Sequence, residues 1–355
     1  MDISKYISND SYNKRTSLQN IGATCYINTL IQCLLSCTYF NNFVLSQDYN
    51  NRIQNDNNDK KNIFLITELR NIFKSMWIDG NSLNPIRFLK TLKLKFNFIE
   101  INSQNDIHEI LLLILNKLNE EIKINDISKY TNNKINDVDN NSLQNLKKNC
   151  YEKWFEMHKK EYSELNEILY HHKITQIICG NCNHIHHNHD SSCIIDIEIP
   201  IVQDNNKYQL IDCIKNHMNT ELLNSNPDMK WTCDECNNSE ISEKSTKYWK
   251  LPPTLIISLK RFIYDKDSNN MIKNNIYIDA PLELNLSEYV LSNNNSKYKL
   301  KSVANHFGNL NNGHYFSIVK NKDKWTIIDD LSIKTVDEKD ILFNLGYILF
   351  YEICV

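Results

Sequence analysis

The chain carries Cys25 near its start and His314 and Asp329 near its end. A fold that uses the three together must carry its last strands back to its first helix. Cys25 lies in the run Leu18-Gln-Asn-Ile-Gly-Ala-Thr-Cys-Tyr-Ile-Asn28, and Gly313-His314-Tyr315 precedes Trp325-Thr-Ile-Ile-Asp-Asp330. Thiol, imidazole and carboxylate in that order offer a nucleophile, a base and a group to orient the base. A free thiol with a pKa of about 8.5 is a weak nucleophile, but an imidazole and a helix N-terminus both lower it. Ile27, Leu30, Ile31 and Leu34 recur at helical spacing, which predicts a helix over Tyr26 to Leu35 with Cys25 at its positive end. Asn20 and Gly22 fall in the turn before it, where an amide and the Cys25 backbone N–H can meet an oxyanion. Alone, a cysteine ahead of an amphipathic helix is usually an inert buried thiol. A histidine after a glycine is usually a strand or turn residue. Context decides between these readings.

That context is four separated segments. They are Ser17 to Gln32, Gln104-Asn-Asp-Ile-His-Glu109, Leu251-Pro-Pro-Thr-Leu-Ile-Ile-Ser-Leu-Lys-Arg-Phe262, and the stretch from Tyr298 to Tyr351 that holds His306, Gly308, His314, Trp325 and Asp329. In content and order they resemble the ubiquitin-specific proteases, a papain-like family of deubiquitinating cysteine peptidases. The resemblance implies an α+β fold: a helical thumb over residues 17–172, zinc-binding β fingers mainly over 173–250, and an antiparallel β palm mainly over 251–355. It also implies Cys25 as nucleophile, His314 as base, Asp329 as orienter, Asn20 as an oxyanion donor and Asp330 as a secondary polar residue. Gln104, Asp106 and Tyr315 would border the C-terminal tail of ubiquitin, and His306 would shape the loop before the base. Ser17, Ala23, Thr29, Asn105 and Ile107 depart from the family's commoner residues, and none of them removes a chemical group of the site.

Cys179-Gly-Asn-Cys182 and Cys233-Asp-Glu-Cys236 form a paired C-x-x-C signal. Each pair can bend into a knuckle aiming two thiolates at one tetrahedral ion, which makes structural zinc the expected cofactor. Fifty residues separate the pairs, too many for a compact ribbon and suited to two hairpin ends that meet. A closed four-sulfur shell has no open coordination position, so no catalysis is assigned to it. His184, His186, His187 and His189 read as a solvated hairpin tip, with a second metal site as the alternative.

A length of 355 residues, 41% of them hydrophobic, suffices for a sizeable core. The net charge of -3 carries no polyanion signature, so nucleic acid is not an expected ligand. Residues 1–16 are polar and read as a flexible arm. The aliphatic run Ile110 to Leu115 is too short to cross a bilayer. Eleven cysteines, one of them reactive, point to a reducing, intracellular setting, cytoplasmic or nuclear. The expected partners are ubiquitin and ubiquitinated proteins. Rival readings are an inactive ubiquitin-binding scaffold, a peptidase for another modifier ending in Gly-Gly, and a zinc-ribbon nucleic-acid module.

Period and punctuation predict helices over Phe64 to Met76, Pro85 to Phe96, Ile110 to Ile122 and Tyr151 to Tyr170. Ser46 to Asn62 reads as a loop and Asn125 to Lys148 as a weakly folded insertion. Strands are expected at Ile194 to Ile199, Leu255 to Phe262, Tyr298 to Val303, Tyr315 to Lys320 and Lys324 to Ile328. Tyr264 to Asn275, Leu291 to Ser296 and Gly308 to Gly313 read as loops, and Lys260-Arg261 as a solvated strand end.

Overall fold

A computed structural model describes residues 2–6, 15–55, 63–78, 82–127, 142–201, 207–226, 230–265, 269–292, 295–309, 312–321, 324–341 and 345–354. The helix Cys25–Ser36 is the axle of the molecule, with all twelve residues buried. Its apolar stripe, at the helical spacing the sequence predicts, is buried in a core shared by thumb and palm; burying four such side chains contributes about 1.5–3 kcal/mol each. Its polar stripe is buried as well, because the palm and the stretch just before the helix cover it. Burial there requires partners. Asn28 donates to the Leu18 and Gln19 carbonyls at 3.4 and 3.2 Å and to Asp330 Oδ1 at 2.8 Å. Gln32 donates to the Thr16 carbonyl at 2.9 Å. Ser36 reaches Ser302 of the palm at 2.8 Å.

Around this axle the thumb adds helices Thr38–Ser46, Asn50–Asn55, Leu65–Ile78, Ile86–Lys95, Ile107–Glu121, Ser142–His158 and Glu164–Leu169. Phe40, Phe43, Phe73, Leu111 and Leu115 fill the space between them. The palm is an eight-stranded sheet. Its path runs Ser332–Val336, Lys324–Asp329, Gly313–Asn321, Lys297–Gly308, Gly346–Ile353, Thr254–Leu259 and Ile195–Ile197, with Glu283–Asn285 paired to Lys297–Gly308 off the path. Neighbours are antiparallel except Ile195–Ile197, which runs parallel to Thr254–Leu259. The sheet's second face buries Trp325, Tyr298 and Tyr351. The fingers are a four-stranded sheet ordered Ile185–Ser192, His171–Ile178, Ser242–Lys250 and Glu221–Leu223. Each C-x-x-C pair lies at the outer end of this sheet, beyond Ile178 and ahead of Ser242.

Several expectations are corrected. Within the arm expected at residues 1–16, Ser4–Tyr6 is a 3₁₀ turn whose Tyr6 ring is buried edge-on against Phe43, with its hydroxyl on Asp48 at 2.7 Å. Arg15 and Thr16 are likewise tied to Gln32; residues 7–14 lie outside the described residues. The Ser46 to Asn62 loop contains the helix Asn50–Asn55, anchored by Arg52 on Glu164 at 2.6 Å. Of the Asn125 to Lys148 insertion, residues 128–141 lie outside the described residues, and Ser142 onward is helical. The single helix expected over Tyr151 to Tyr170 breaks after His158. Ser163 and Asn166 there form a reciprocal capping box that starts a new helix.

Tyr264 to Asn275 is no plain loop: Phe262–Asp265 and Asn270–Lys273 pair as a hairpin, with Asn269 supplying the left-handed turn residue at φ 54°. Arg261 is 1% exposed rather than solvated. Its guanidinium donates to the carbonyls of Gly346, Asn274 and Ile276 at 2.5, 3.0 and 2.9 Å, so backbone dipoles stand where solvent was expected.

Candidate active site

The axle helix begins at Cys25, so the thiol sits over unpaired N–H groups and is only 3% exposed. The turn before it needs Gly22, whose φ of 135° and closeness to Asn102 leave no room for a Cβ. Strand Gly313–Asn321 carries His314, and the adjacent strand Lys324–Asp329 ends on Asp329. His314 Nε2 lies 2.6 Å from Asp329 Oδ1, which leaves Nδ1 for the Cys25 thiol. Hydrogen bonding to Cys25 and then to Asp329 outweighs burial and raises the His314 pKa to about 9. The three sequence candidates are therefore assembled, with the imidazole between sulfur and carboxylate.

A raised value means that the ring keeps its proton through neutrality and loses it as pH passes 9. A protonated imidazole is the acid that a departing amine requires. The alkaline limb of a turnover profile is therefore expected near pH 9. Asp329→Asn, which removes the negative charge, should move that limb to lower pH; a limb unchanged by this substitution would contradict the arrangement.

An Asp330 carboxylate oxygen lies within 4.8 Å of a His314 ring nitrogen, but its hydrogen bonds run toward the axle. With φ 49° the residue turns back that way. Its Oδ2 accepts from Asn20 Nδ2 at 2.9 Å and its Oδ1 from Asn28 Nδ2 at 2.8 Å. Asn20 Oδ1 in turn accepts from the Thr24 backbone N–H at 3.1 Å and the Thr24 hydroxyl at 3.2 Å. The Asn20 amide is thus pinned one turn ahead of the sulfur, with one of its two amide protons spent on Asp330.

The residues expected around a substrate tail are engaged with the protein itself. Gln104 bonds both backbone groups of Gly313. Asp106 Oδ1 caps the helix Ile107–Glu121, accepting from the His108 and Glu109 N–H groups, and its Oδ2 accepts from the Tyr347 hydroxyl at 2.8 Å. Tyr315 is buried in the same core as Ile107. Sequence reasoning missed Tyr347 and Lys273, whose partners come from distant segments. His306 is buried against Tyr315 at 4.5 Å and Phe262 at 5.5 Å. Burial, helped by Lys273, lowers its pKa to about 4, so it stays neutral and shapes the turn.

At the fingertips, Cys179, Cys182, Cys233 and Cys236 bring their sulfurs within 4.8 Å of one another. Cys179 and Cys236 are 3.8 Å apart, and Cys182 and Cys233 are 3.7 Å apart. A tetrahedron with metal–sulfur bonds of about 2.3 Å has edges of about 3.8 Å, which these two spacings match, so the four thiols could hold one metal ion. The following histidines are a solvated tip only in part. His186, His187 and His189 lie along strand Ile185–Ser192, where His186 packs on Trp231 with Nε2 3.4 Å from Cys233 Sγ, and His189 meets His172 at 2.9 Å. His184 and His187 alone in that group are exposed.

The family model described as ubiquitin carboxyl-terminal hydrolase matches residues 16–351. The chain belongs to that family, whose members are cysteine-type deubiquitinases. Its relatives include ubiquitin carboxyl-terminal hydrolase 11 of Saccharomyces cerevisiae, 28% identical over 95% of this chain and 57% of that protein. Ubiquitin carboxyl-terminal hydrolase 4 of Arabidopsis thaliana is 28% identical over 94% of this chain and 92% of its own length. A probable ubiquitin carboxyl-terminal hydrolase of Acanthamoeba polyphaga mimivirus is 25% identical over 98% and 92%. Among solved structures, a chain of the SAGA DUB module of Ubp8, Sgf11, Sus1 and Sgf73 bound to monoubiquitin shares the fold. It has a TM-score of 0.74 and 22% identity over 98% of this chain and 71% of that one. No helix among the described residues is long and apolar enough to cross a membrane.

Proposed function

We propose that this protein hydrolyses the isopeptide or peptide bond after the terminal glycine of ubiquitin, with Cys25 as nucleophile, His314 as acid and base, and Asp329 as orienter. The observation that carries this reading is the imidazole set between the Cys25 thiol and Asp329. In it, the Cys25 thiolate attacks the glycine carbonyl while His314 holds the thiol proton. The tetrahedral oxyanion is met by the Cys25 backbone N–H and the second amide proton of Asn20. Collapse expels the amine, which takes the proton from His314, and water then hydrolyses the thioester with His314 as base. Asp329 fixes the imidazole tautomer throughout, while Asp330 holds Asn20 and Asn28 in place. Gln104, Asp106 and Tyr315 serve as framework around this centre. An assembled triad favours an enzyme over an inactive scaffold.

The four fingertip cysteines fit structural zinc, which they would hold as a closed shell. The abundance of thiols supports an intracellular setting, with ubiquitin and ubiquitinated proteins as partners. A ubiquitin carrying a C-terminal propargyl group tests the proposal directly. Wild type should gain the probe's mass at Cys25, and Cys25→Ala should not. Labelling at another cysteine, or faster labelling by a different Gly-Gly-ended modifier, would overturn the assignment.

A further inference from the structure

Gln104 lies in the link ahead of helix Ile107–Glu121 and faces the palm. Its Oε1 accepts the Gly313 N–H at 3.0 Å and its Nε2 donates to the Gly313 carbonyl at 2.5 Å. The side chain thus exchanges two hydrogen bonds with one residue's backbone, as residues on neighbouring antiparallel strands do. The residue it holds immediately precedes His314. One residue beyond the base, Tyr315 is buried in the same core as Ile107. The short segment from Gln104 to Ile107 therefore holds the residue before His314 and shares a core with the residue after it.

That segment is itself anchored. Asp106 caps the helix behind it and accepts from Tyr347 of the palm. The opposite side of Gly313 is closed as well. A Cβ there would lie 2.0 Å from His306 Nε2, and Lys273 donates to the His306 and Gly308 carbonyls at 2.7 and 3.2 Å. Gly313 sits between a thumb amide and a palm imidazole, with little freedom to move.

We propose that Gln104 is a positioning residue of the hydrolase: it holds the peptide before His314 so that the imidazole faces Cys25 before any substrate arrives. The proposal rests on the Cys25–His314 reading above. It differs from a substrate-contact role, because both polar ends of the amide are already bonded within the protein.

The test needs no ubiquitin for its main readout. Full-length wild type, Gln104→Met, Gln104→Glu and His314→Ala are treated with iodoacetamide across pH, and modification of the Cys25 peptide is followed by mass spectrometry. A misplaced imidazole should slow alkylation near neutrality and change its dependence on pH, because the ring is the group placed to take the thiol proton. Gln104→Met should do this in the same direction as His314→Ala. Gln104→Glu keeps the acceptor for the Gly313 N–H and loses the donor, so an intermediate effect is expected. Turnover should fall by up to about 10²-fold in kcat, the scale of an ångström-level misplacement. Ubiquitin affinity, measured on Cys25→Ala with and without Gln104→Met, should stay within about twofold, which also reports an intact fold.

An unchanged alkylation profile with a rise in KM alone would make Gln104 a substrate contact and overturn the proposal. If His314→Ala leaves the profile of Cys25 unmoved, the thiol–imidazole reading itself fails, and the role of Gln104 falls with it.

Discussion

Replacing His314 with alanine is expected to lower release of a fluorophore from the C-terminus of ubiquitin by about 10²–10⁴-fold, the usual worth of a positioned acid–base group. The loss should lie in kcat, because the ring acts on the reacting atoms and is not needed to hold the globular part of ubiquitin. His306→Ala is the control. That ring is neutral and wedged against Gly313, so its removal should cost far less and leave the alkaline limb in place. A His306 variant as inactive as the His314 variant would reverse the assignment of the base. Cys25→Ala should abolish turnover outright while retaining ubiquitin binding.

Stripping the metal expected at the fingertips should have the second large effect. Structural zinc in small peptides supplies roughly 10–16 kcal/mol of apparent binding free energy, which matches or exceeds the stability of a typical domain. The strand Glu221–Leu223 and the turn that carries Cys233 and Cys236 have little apolar burial of their own; of the three strand residues only Leu223 is buried. A strong chelator, or Cys233→Ser, should therefore raise amide exchange across the fingers sheet. Exchange in the palm strands around Trp325 should change little, because a separate core holds them. Metal analysis should give about one zinc per chain, as four sulfurs in one shell require. Uniform protection with and without chelator would remove the metal from the account of stability.

The parts legible in the sequence share a property: each is specified by a short run. Cys25 with its helix, His314 after Gly313, Asp329 after Trp325, and the two knuckles all fall where local pattern put them. What the pattern hid depends on partners far along the chain. Arg261 follows a lysine at a strand end and looks solvated, yet carbonyls from residues 274, 276 and 346 enclose it. Gln104 and Asp106 carry polar groups that a substrate can use, and only the fold reveals that Gly313 and Tyr347 reach them first. The polar stripe of the first helix gave no sign of burial, because the sheet that helps cover it comes from the other end of the chain. The break at Ser163 was legible in principle, since serine followed three residues later by asparagine can cap reciprocally. The aromatic stripe on either side masked it.

The position of the first helix between thumb and palm bears on how the protein comes into being on the ribosome. Its thiol is made about 290 residues before the ring set beside it, and the Asp330 carboxylate that braces Asn28 comes later still. At about 5–20 residues per second, the nascent chain spends many seconds with a nucleophile but no base. Reactivity is thereby withheld until the strand that carries His314 has been made.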